Sequence, residues 1–179
     1  MTDMTKNRLL NMGSGAIKRG VFWGVGAGII FALFEMVMNT MFGQPFFGPL
    51  RMISSIALGA EAIDPGYSMI VAGAVGLIVH AFLSAVYGVI FVGLVGLTKR
   101  FNTPMNTRLF VGPLFGLALW VVNFLIIAPI AFPQFTEVNQ FWSGFVAHTF
   151  VFGTALGIFS NVEKPISEVS VTRVGSVSE

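Results

Sequence analysis

Four long apolar stretches dominate the sequence, and short segments rich in polar residues, glycine and proline separate them. They cover approximately residues 21–42, 67–97, 109–132 and 141–160. A helix that crosses the hydrocarbon core of a bilayer needs about 20 predominantly apolar residues, and each stretch provides that length. The pattern therefore predicts an all-α integral membrane protein, a four-helix bundle in which neighbouring helices run up and down.

The first connection between apolar stretches contains a further predicted helix. Two prolines and two glycines between residues 43 and 49 interrupt the preceding helix. Apolar residues then recur at helical spacing over residues 50–62, which predicts a short interfacial helix. The polar residues at the two ends predict an N-terminal segment over 1–20 and a flexible tail over 161–179.

The overall composition supports a membrane protein and excludes several kinds of chemistry. Charged residues make up 10% of the chain and hydrophobic residues 55%, with a mean hydropathy of +0.83, whereas soluble domains carry about 25% charged residues. The chain has no cysteine, which excludes disulfides, thiolate metal sites and cysteine nucleophiles. No GxSxG or HExxH motif occurs, so we do not expect an enzyme.

The basic residues indicate the orientation of the chain rather than nucleic-acid binding. Nine of the ten lysines and arginines lie in the N-terminal segment, the second connection or the C-terminal tail, and Arg51 is the exception. Because positive charge is enriched on the cytoplasmic side of membrane proteins, we predict that both termini are cytoplasmic. The expected location is the bacterial inner membrane, with membrane lipid as the surrounding partner.

Each apolar stretch carries one strongly polar residue at a similar predicted depth. These residues are Glu35, His80, Asn123 and His148, and Ser84 follows His80 by one helical turn. With a rise of 1.5 Å per residue, an up-down bundle brings all four to within about one or two turns of the same level. The sequence therefore predicts a shared polar centre in the outer half of the membrane.

Small residues precede these polar positions at intervals of four, which is typical of helix contacts in membranes. The predicted helix-packing residues are Gly24, Gly28, Ala32, Gly76 and Gly144. Such contacts would turn the polar side chains towards neighbouring helices and away from lipid. They also make a homo-oligomer, or membership of a larger membrane complex, the expected assembly.

Three functions are compatible with this polar centre. The leading interpretation is a non-enzymatic accessory or self-assembling membrane subunit without a cofactor, in which the polar cluster organises the bundle. The second is a proton-coupled or small-solute transporter with Glu35 as the titrating group. The third is a cofactor protein, in which His80 and His148 ligate haem b or, together with Glu35, a transition metal.

The segments around the two histidines resemble a known family. The second stretch contains His80-Ala-Phe-Leu-Ser84, and the fourth contains Gly144 four residues before His148. This arrangement is similar to that of the YagU-like family of small bacterial inner-membrane proteins, in which the last span has Gly-x-x-His, one residue shorter than here. The resemblance implies a four-span inner-membrane protein and assigns no catalytic residue.

Overall fold

The protein is a bundle of long helices, with no β-strand among the residues that the structure describes. This computed structural model describes residues 3–97, 105–136 and 141–160. The α-helices are α1 (Asp3–Met41), α2 (Gly48–Leu58), α3 (Met69–Leu97), α4 (Met105–Trp120), α5 (Ala128–Ala131), α6 (Phe141–Val146) and α7 (Gly153–Phe159). A π-helical segment joins α4 to α5 (Val121–Ile127), and a second joins α6 to α7 (Ala147–Phe152).

Four of these helical stretches are long and apolar enough to cross a membrane. They are the first span (Ser14–Met41), the second (Met69–Val95), the third (Thr107–Ala131) and the fourth (Phe141–Phe159). The predicted all-α four-helix membrane fold is therefore confirmed. Short 3₁₀ turns follow α2 (Ala60–Ile63) and the third span (Pro133–Phe135).

Two element boundaries differ from those expected from the sequence. The helix of the first span begins at Asp3 and so includes most of the segment over 1–20, because a helix extends easily into residues that contain no proline. The predicted interfacial helix over 50–62 is divided at Gly59, whose φ of 90° ends α2 before the 3₁₀ turn. The predicted tail over 161–179 lies outside the described residues.

The first and second spans pack against each other at positions where both helices have glycine. A Cβ atom on Gly24 would overlap the carbonyl oxygen of Ser84, and one on Gly88 would overlap the backbone of Gly20. A Cβ atom on Gly28 would overlap the side-chain oxygen of Ser84 in the same way. Glycine allows two helices to approach to backbone contact, so this pair is held at close range and runs antiparallel.

The third and fourth spans form a second antiparallel pair of the same kind. Gly112 and Gly153 face each other so closely that a Cβ on either would overlap the other's backbone. A Cβ on Gly116 would overlap the carbonyl oxygen of His148, and Gly157 faces the backbone of the third span one turn away. The bundle is thus two glycine-packed pairs.

Larger side chains fill the space between the pairs. A buried apolar core of Phe91, Leu119, Phe152 and Leu156 occupies the half of the bundle where the first span begins. The first span also contacts the fourth. The other half, which we call the α2 end, is covered by α2 and by the connection after the third span.

The remaining predicted packing residues have different neighbours. Gly76 lies against the backbone of Leu50 in α2, not against another span, and Gly144 lies beneath the ring of Phe124. Ala32 is half-buried and faces the interior of the α2 end. These three positions therefore shape the α2 end of the bundle.

Candidate functional site

A cavity of about 370 Å³ lies at the α2 end, between the two helix pairs. Glu35, His80, Ser84, Asn123 and His148, the five residues of the predicted polar centre, all line it. The rest of its wall is mainly apolar and aromatic, with side chains from all four spans and from α2. The tertiary fold thus brings one or two polar side chains from each span to one partly open cavity.

Glu35 is the only acidic side chain in this wall, and its carboxylate is incompletely hydrogen-bonded. The residue is 7% exposed. Ser143 Oγ donates to Oε2 at 3.5 Å, and Oε1 has no hydrogen-bond partner within the described parts of the chain. No lysine or arginine lines the cavity, so the wall offers Glu35 no cationic side chain.

His80 connects the second span to the first. Its Nε2 lies 2.8 Å from the carbonyl oxygen of Gly28. A carbonyl oxygen accepts and never donates, so Nε2 carries the proton, and in a neutral imidazole Nδ1 keeps its lone pair. Gly28 has no side chain, which allows this approach between helices.

His148 is held within its own helix, in the π-helical segment of the fourth span. Its Nδ1 lies 2.8 Å from the carbonyl oxygen of Gly144 and donates to it. In the neutral ring, the lone pair is therefore on Nε2. The two histidines keep different nitrogens as acceptors, because His80 donates from Nε2 and His148 donates from Nδ1.

Asn123 lies in the π-helical segment of the third span, and Tyr87 from the second span hydrogen-bonds to it. The Tyr87 hydroxyl donates to Asn123 Oδ1 at 3.0 Å. Pro129 follows this segment; its ring lacks an N–H and would crowd the carbonyl of residue 125 in a regular α-helix, which the wider turn accommodates. π-Helical turns often occur at functional sites.

The described structure gives the predicted metal site no support. Among the described residues, no group of three histidine, aspartate or glutamate side chains could hold a metal ion. Glu35, His80 and His148 line one cavity, and both imidazoles hydrogen-bond to backbone carbonyls. These hydrogen bonds fix the orientation of the rings and leave Nδ1 of His80 and Nε2 of His148 as the nitrogens with lone pairs.

The predicted ligation of haem b by His80 and His148 also gains no support, because Phe31 lies beside both rings. The ring of Phe31 lies beside both imidazoles, with centroid distances of 5.5 Å to His80 and 4.8 Å to His148. A porphyrin between the two histidines would need the volume that this ring occupies. The Nε2 atom of His80 also donates to Gly28 and has no lone pair for iron.

Helix α2 covers the cavity and is anchored at several points. Leu50, Met52 and Ile56 face the cavity. On the opposite side of α2, Arg51 donates to the backbone carbonyls of Asp64 and Tyr67. A side-chain hydrogen bond of 3.1 Å, from Gln134 Nε2 to Ser55 Oγ, joins α2 to the connection after the third span.

Sequence reasoning missed three contributors to this site. Tyr87 lies seven residues after His80, two helical turns along the same face, and that spacing would have identified it. Ser143, the donor to Glu35, immediately precedes the packing residue Gly144. Phe31 carried no signal, because phenylalanine occurs throughout the apolar stretches.

Comparison with known proteins adds no family to this description. No family model, no curated protein and no solved structure matches the chain. The resemblance to the YagU-like family therefore stays a prediction.

Proposed function

We propose that this is a non-enzymatic membrane protein that binds a small, largely apolar molecule in the cavity beneath α2. The observation that carries the proposal is that Glu35, His80, Ser84, Asn123 and His148 line one cavity of about 370 Å³. Pockets for small molecules are about 300–1,000 Å³ in volume and combine apolar walls with a few polar groups. This cavity has both properties.

Binding explains the polar centre better than a purely organising role does. Polar groups that only hold helices together are expected to satisfy one another's hydrogen bonds. Here Glu35 keeps one carboxylate oxygen without a partner in the described structure. His80 and His148 each donate to a backbone carbonyl, not to Glu35. The side chains therefore retain hydrogen-bonding capacity for a further molecule.

Transport of the bound molecule, with Glu35 as the titrating group, has less support. A path across the membrane would have to continue from the cavity towards the end where the first span begins. That half contains the apolar core around Phe91, Leu119 and Leu156, together with partly buried aromatic rings. These side chains close the cavity on that side, which favours binding from the α2 end.

The location and partners of the protein are part of the same proposal. A bacterial inner membrane, with both termini in the cytoplasm, accords with the distribution of lysine and arginine along the sequence. Exposed apolar side chains on all four spans would contact membrane lipid. Gly24 and Gly28 contact the second span within the chain, so a homo-oligomer would form through other surfaces.

The test compares a variant that places a large side chain in the cavity with a matched variant that places the same side chain on the outer surface. Ala32 lines the cavity, whereas the adjacent Leu33 is 54% exposed. In lipid nanodiscs, binding of radiolabelled 2-phenylethanol, 2-phenylethylamine and 3-phenylpropionate is measured by equilibrium dialysis. We expect saturable binding of at least one probe to the native protein and to Leu33→Phe, and loss of that binding in Ala32→Phe.

Two results would overturn the proposed function. The first is the absence of saturable binding of all three probes to the native protein. The second is binding to Ala32→Phe that equals binding to the native protein. Gel filtration and circular dichroism of both variants establish that they remain folded before binding is compared.

A further inference from the structure

We propose that the ligand of this cavity is an organic amine, bound as an ammonium ion with its amino group towards Glu35 and its apolar part against the aromatic wall. This inference rests on the proposed function, since it names the chemical class of the molecule that the cavity binds. It is carried by the carboxylate, by the acceptor atoms around it and by the rings that line the same space.

The charge of the cavity wall favours a cationic ligand. Glu35 is 7% exposed, and its Oε1 has no hydrogen-bond partner among the described residues. A buried carboxylate is costly unless a cation or several donors compensate for its lost hydration. No lysine or arginine lines the cavity, and the nearby Arg51 donates to backbone carbonyls on the other side of α2. A cationic ligand would supply the missing charge.

The hydrogen-bonding groups of the cavity wall favour a ligand that donates hydrogen bonds. The ring proton of His80 is bound by Gly28, and that of His148 by Gly144. The remaining nitrogens, Nδ1 of His80 and Nε2 of His148, are therefore acceptors in the neutral rings. Together with Glu35 they place acceptor atoms in three polar side chains of the wall, whereas Asn123 and Ser84 also carry donors. An ammonium group has three donors and no acceptor, so it complements the three acceptor side chains.

The aromatic residues of the cavity wall also favour an organic ammonium ion. Six aromatic rings line the cavity: Phe31, Tyr87, Phe124, Phe132, Phe135 and Phe152. The faces of such rings attract ammonium ions, and they also form an apolar surface for a hydrocarbon body. An anionic ligand would instead meet the carboxylate of Glu35 and find no basic side chain in the wall.

The ammonium group could belong to a free amine or to the headgroup of an aminophospholipid, and the two differ in the presence of a phosphate. A free amine would enter as a whole, whereas the ammonium of an aminophospholipid headgroup would bring a phosphate with it. No lysine or arginine lines the cavity to neutralise a phosphate. Both sources share the ammonium group, and the experiment separates them by adding phosphatidylethanolamine.

The test ranks three probes that share a phenylalkyl skeleton and differ in charge. In phosphatidylglycerol nanodiscs, we expect the native protein to bind 2-phenylethylamine about 10- to 100-fold more tightly than 2-phenylethanol, the range for a hydrogen bond to a charged group. It should bind 3-phenylpropionate most weakly. Glu35→Gln should abolish the preference for the amine while keeping the binding of the alcohol.

The matched control is Glu61→Gln, which neutralises an exposed carboxylate on the 3₁₀ turn after α2, outside the cavity. It should preserve the ranking. Equal affinity of the native protein for amine and alcohol, or a preference that persists in Glu35→Gln, would overturn this inference and leave the proposed function standing. The order in which the native protein binds the three probes is measured without any variant, so this part of the test does not depend on a variant being folded.

A second arm adds phosphatidylethanolamine to the nanodiscs. Displacement of the labelled amine by this lipid would support the ammonium site and identify a lipid headgroup as its ligand. Unchanged binding of the amine would support the site with a free amine as its ligand. Saturable binding of none of the three probes would overturn the proposed function itself.

Discussion

Hydrogen bonds to backbone carbonyls decide which atoms of the two histidines are available. His80 donates to Gly28 on another helix, whereas His148 donates to Gly144 in its own helix. The same residue type thus presents Nδ1 in one case and Nε2 in the other. Phe31 lies beside both rings, and the metal and haem arrangements that the sequence left open gain no support from the described residues.

The hydrogen bond between Tyr87 and Asn123 is a testable feature at the residue scale. It joins a side chain of the second span to a side chain of the third. Tyr87→Phe removes the donor and keeps the ring, so we expect a loss of about 1 kcal/mol in the free energy of unfolding. The measurement is the apparent melting temperature of the purified protein in detergent.

Tyr67→Phe provides the matched control for this prediction. Tyr67 lies in the turn before the second span, and its hydroxyl makes no hydrogen bond to the described part of the chain. Its removal should leave the melting temperature unchanged. If Tyr67→Phe lowers it as much as Tyr87→Phe does, the bond to Asn123 has no special contribution to stability.

At the scale of secondary-structure elements, contacts between glycines determine which helices pack together. The first and second spans touch at Gly24 and Gly88, and the third and fourth touch at Gly112 and Gly153. In both pairs, the backbone of one helix occupies the space that a side chain would need. Because each pair is so close, bulkier residues and the cavity are confined to the space between the pairs.

A methyl group at one of the close glycine contacts should be strongly destabilising. A Cβ on Gly24 would overlap the carbonyl oxygen of Ser84, which belongs to a helix backbone and cannot rotate away. Overpacking of this kind costs about 1–3 kcal/mol. We therefore expect Gly24→Ala to lower the apparent melting temperature in detergent and to reduce the yield of folded protein.

Gly93→Ala is the control for the element-scale prediction. This glycine lies in the same helix as Gly88, and a Cβ there would meet no atom within 4 Å. Alanine favours a helix over glycine by about 0.5–1 kcal/mol, so this variant should be at least as stable as the native protein. Equal stability of Gly24→Ala and Gly93→Ala would contradict the close contact between the spans.

The whole molecule combines a closed half with an accessible half. The apolar core lies towards the end where the first span begins, and the cavity lies under α2 at the other end. Two glycines with positive φ, Gly43 and Gly59, flank α2. If both termini are cytoplasmic, as the positive-inside rule predicts, the cavity faces the outer side of the membrane and a ligand enters from there.

The orientation is measured with single cysteines, since the chain has none of its own. Gly66 lies in the exposed turn after α2, and Ser14 is exposed at the start of the first span. We expect Gly66→Cys to react with a membrane-impermeant maleimide in bacteria whose outer membrane has been permeabilised. Ser14→Cys should react only after the inner membrane is disrupted, and the reverse pattern would place the α2 end in the cytoplasm.

Much of the architecture followed from the sequence because a membrane span is a local property. About 20 consecutive apolar residues suffice for a spanning helix, whatever packs beside it. The depth of Glu35, His80, Asn123 and His148 follows from counting residues along each span. The predicted polar residues therefore line one cavity, although nothing local specifies that a cavity exists.

The sequence by itself determined the four helices, their apolar surfaces and the level at which the polar residues occur, because each depends only on neighbours along the chain. The tertiary structure alone decided which helices pair, which imidazole nitrogens remain acceptors and where space is left unfilled. The physical reason is that these features arise between segments distant in sequence: Gly28 meets His80, Phe31 meets His148, and α2 folds over the gap between two helix pairs.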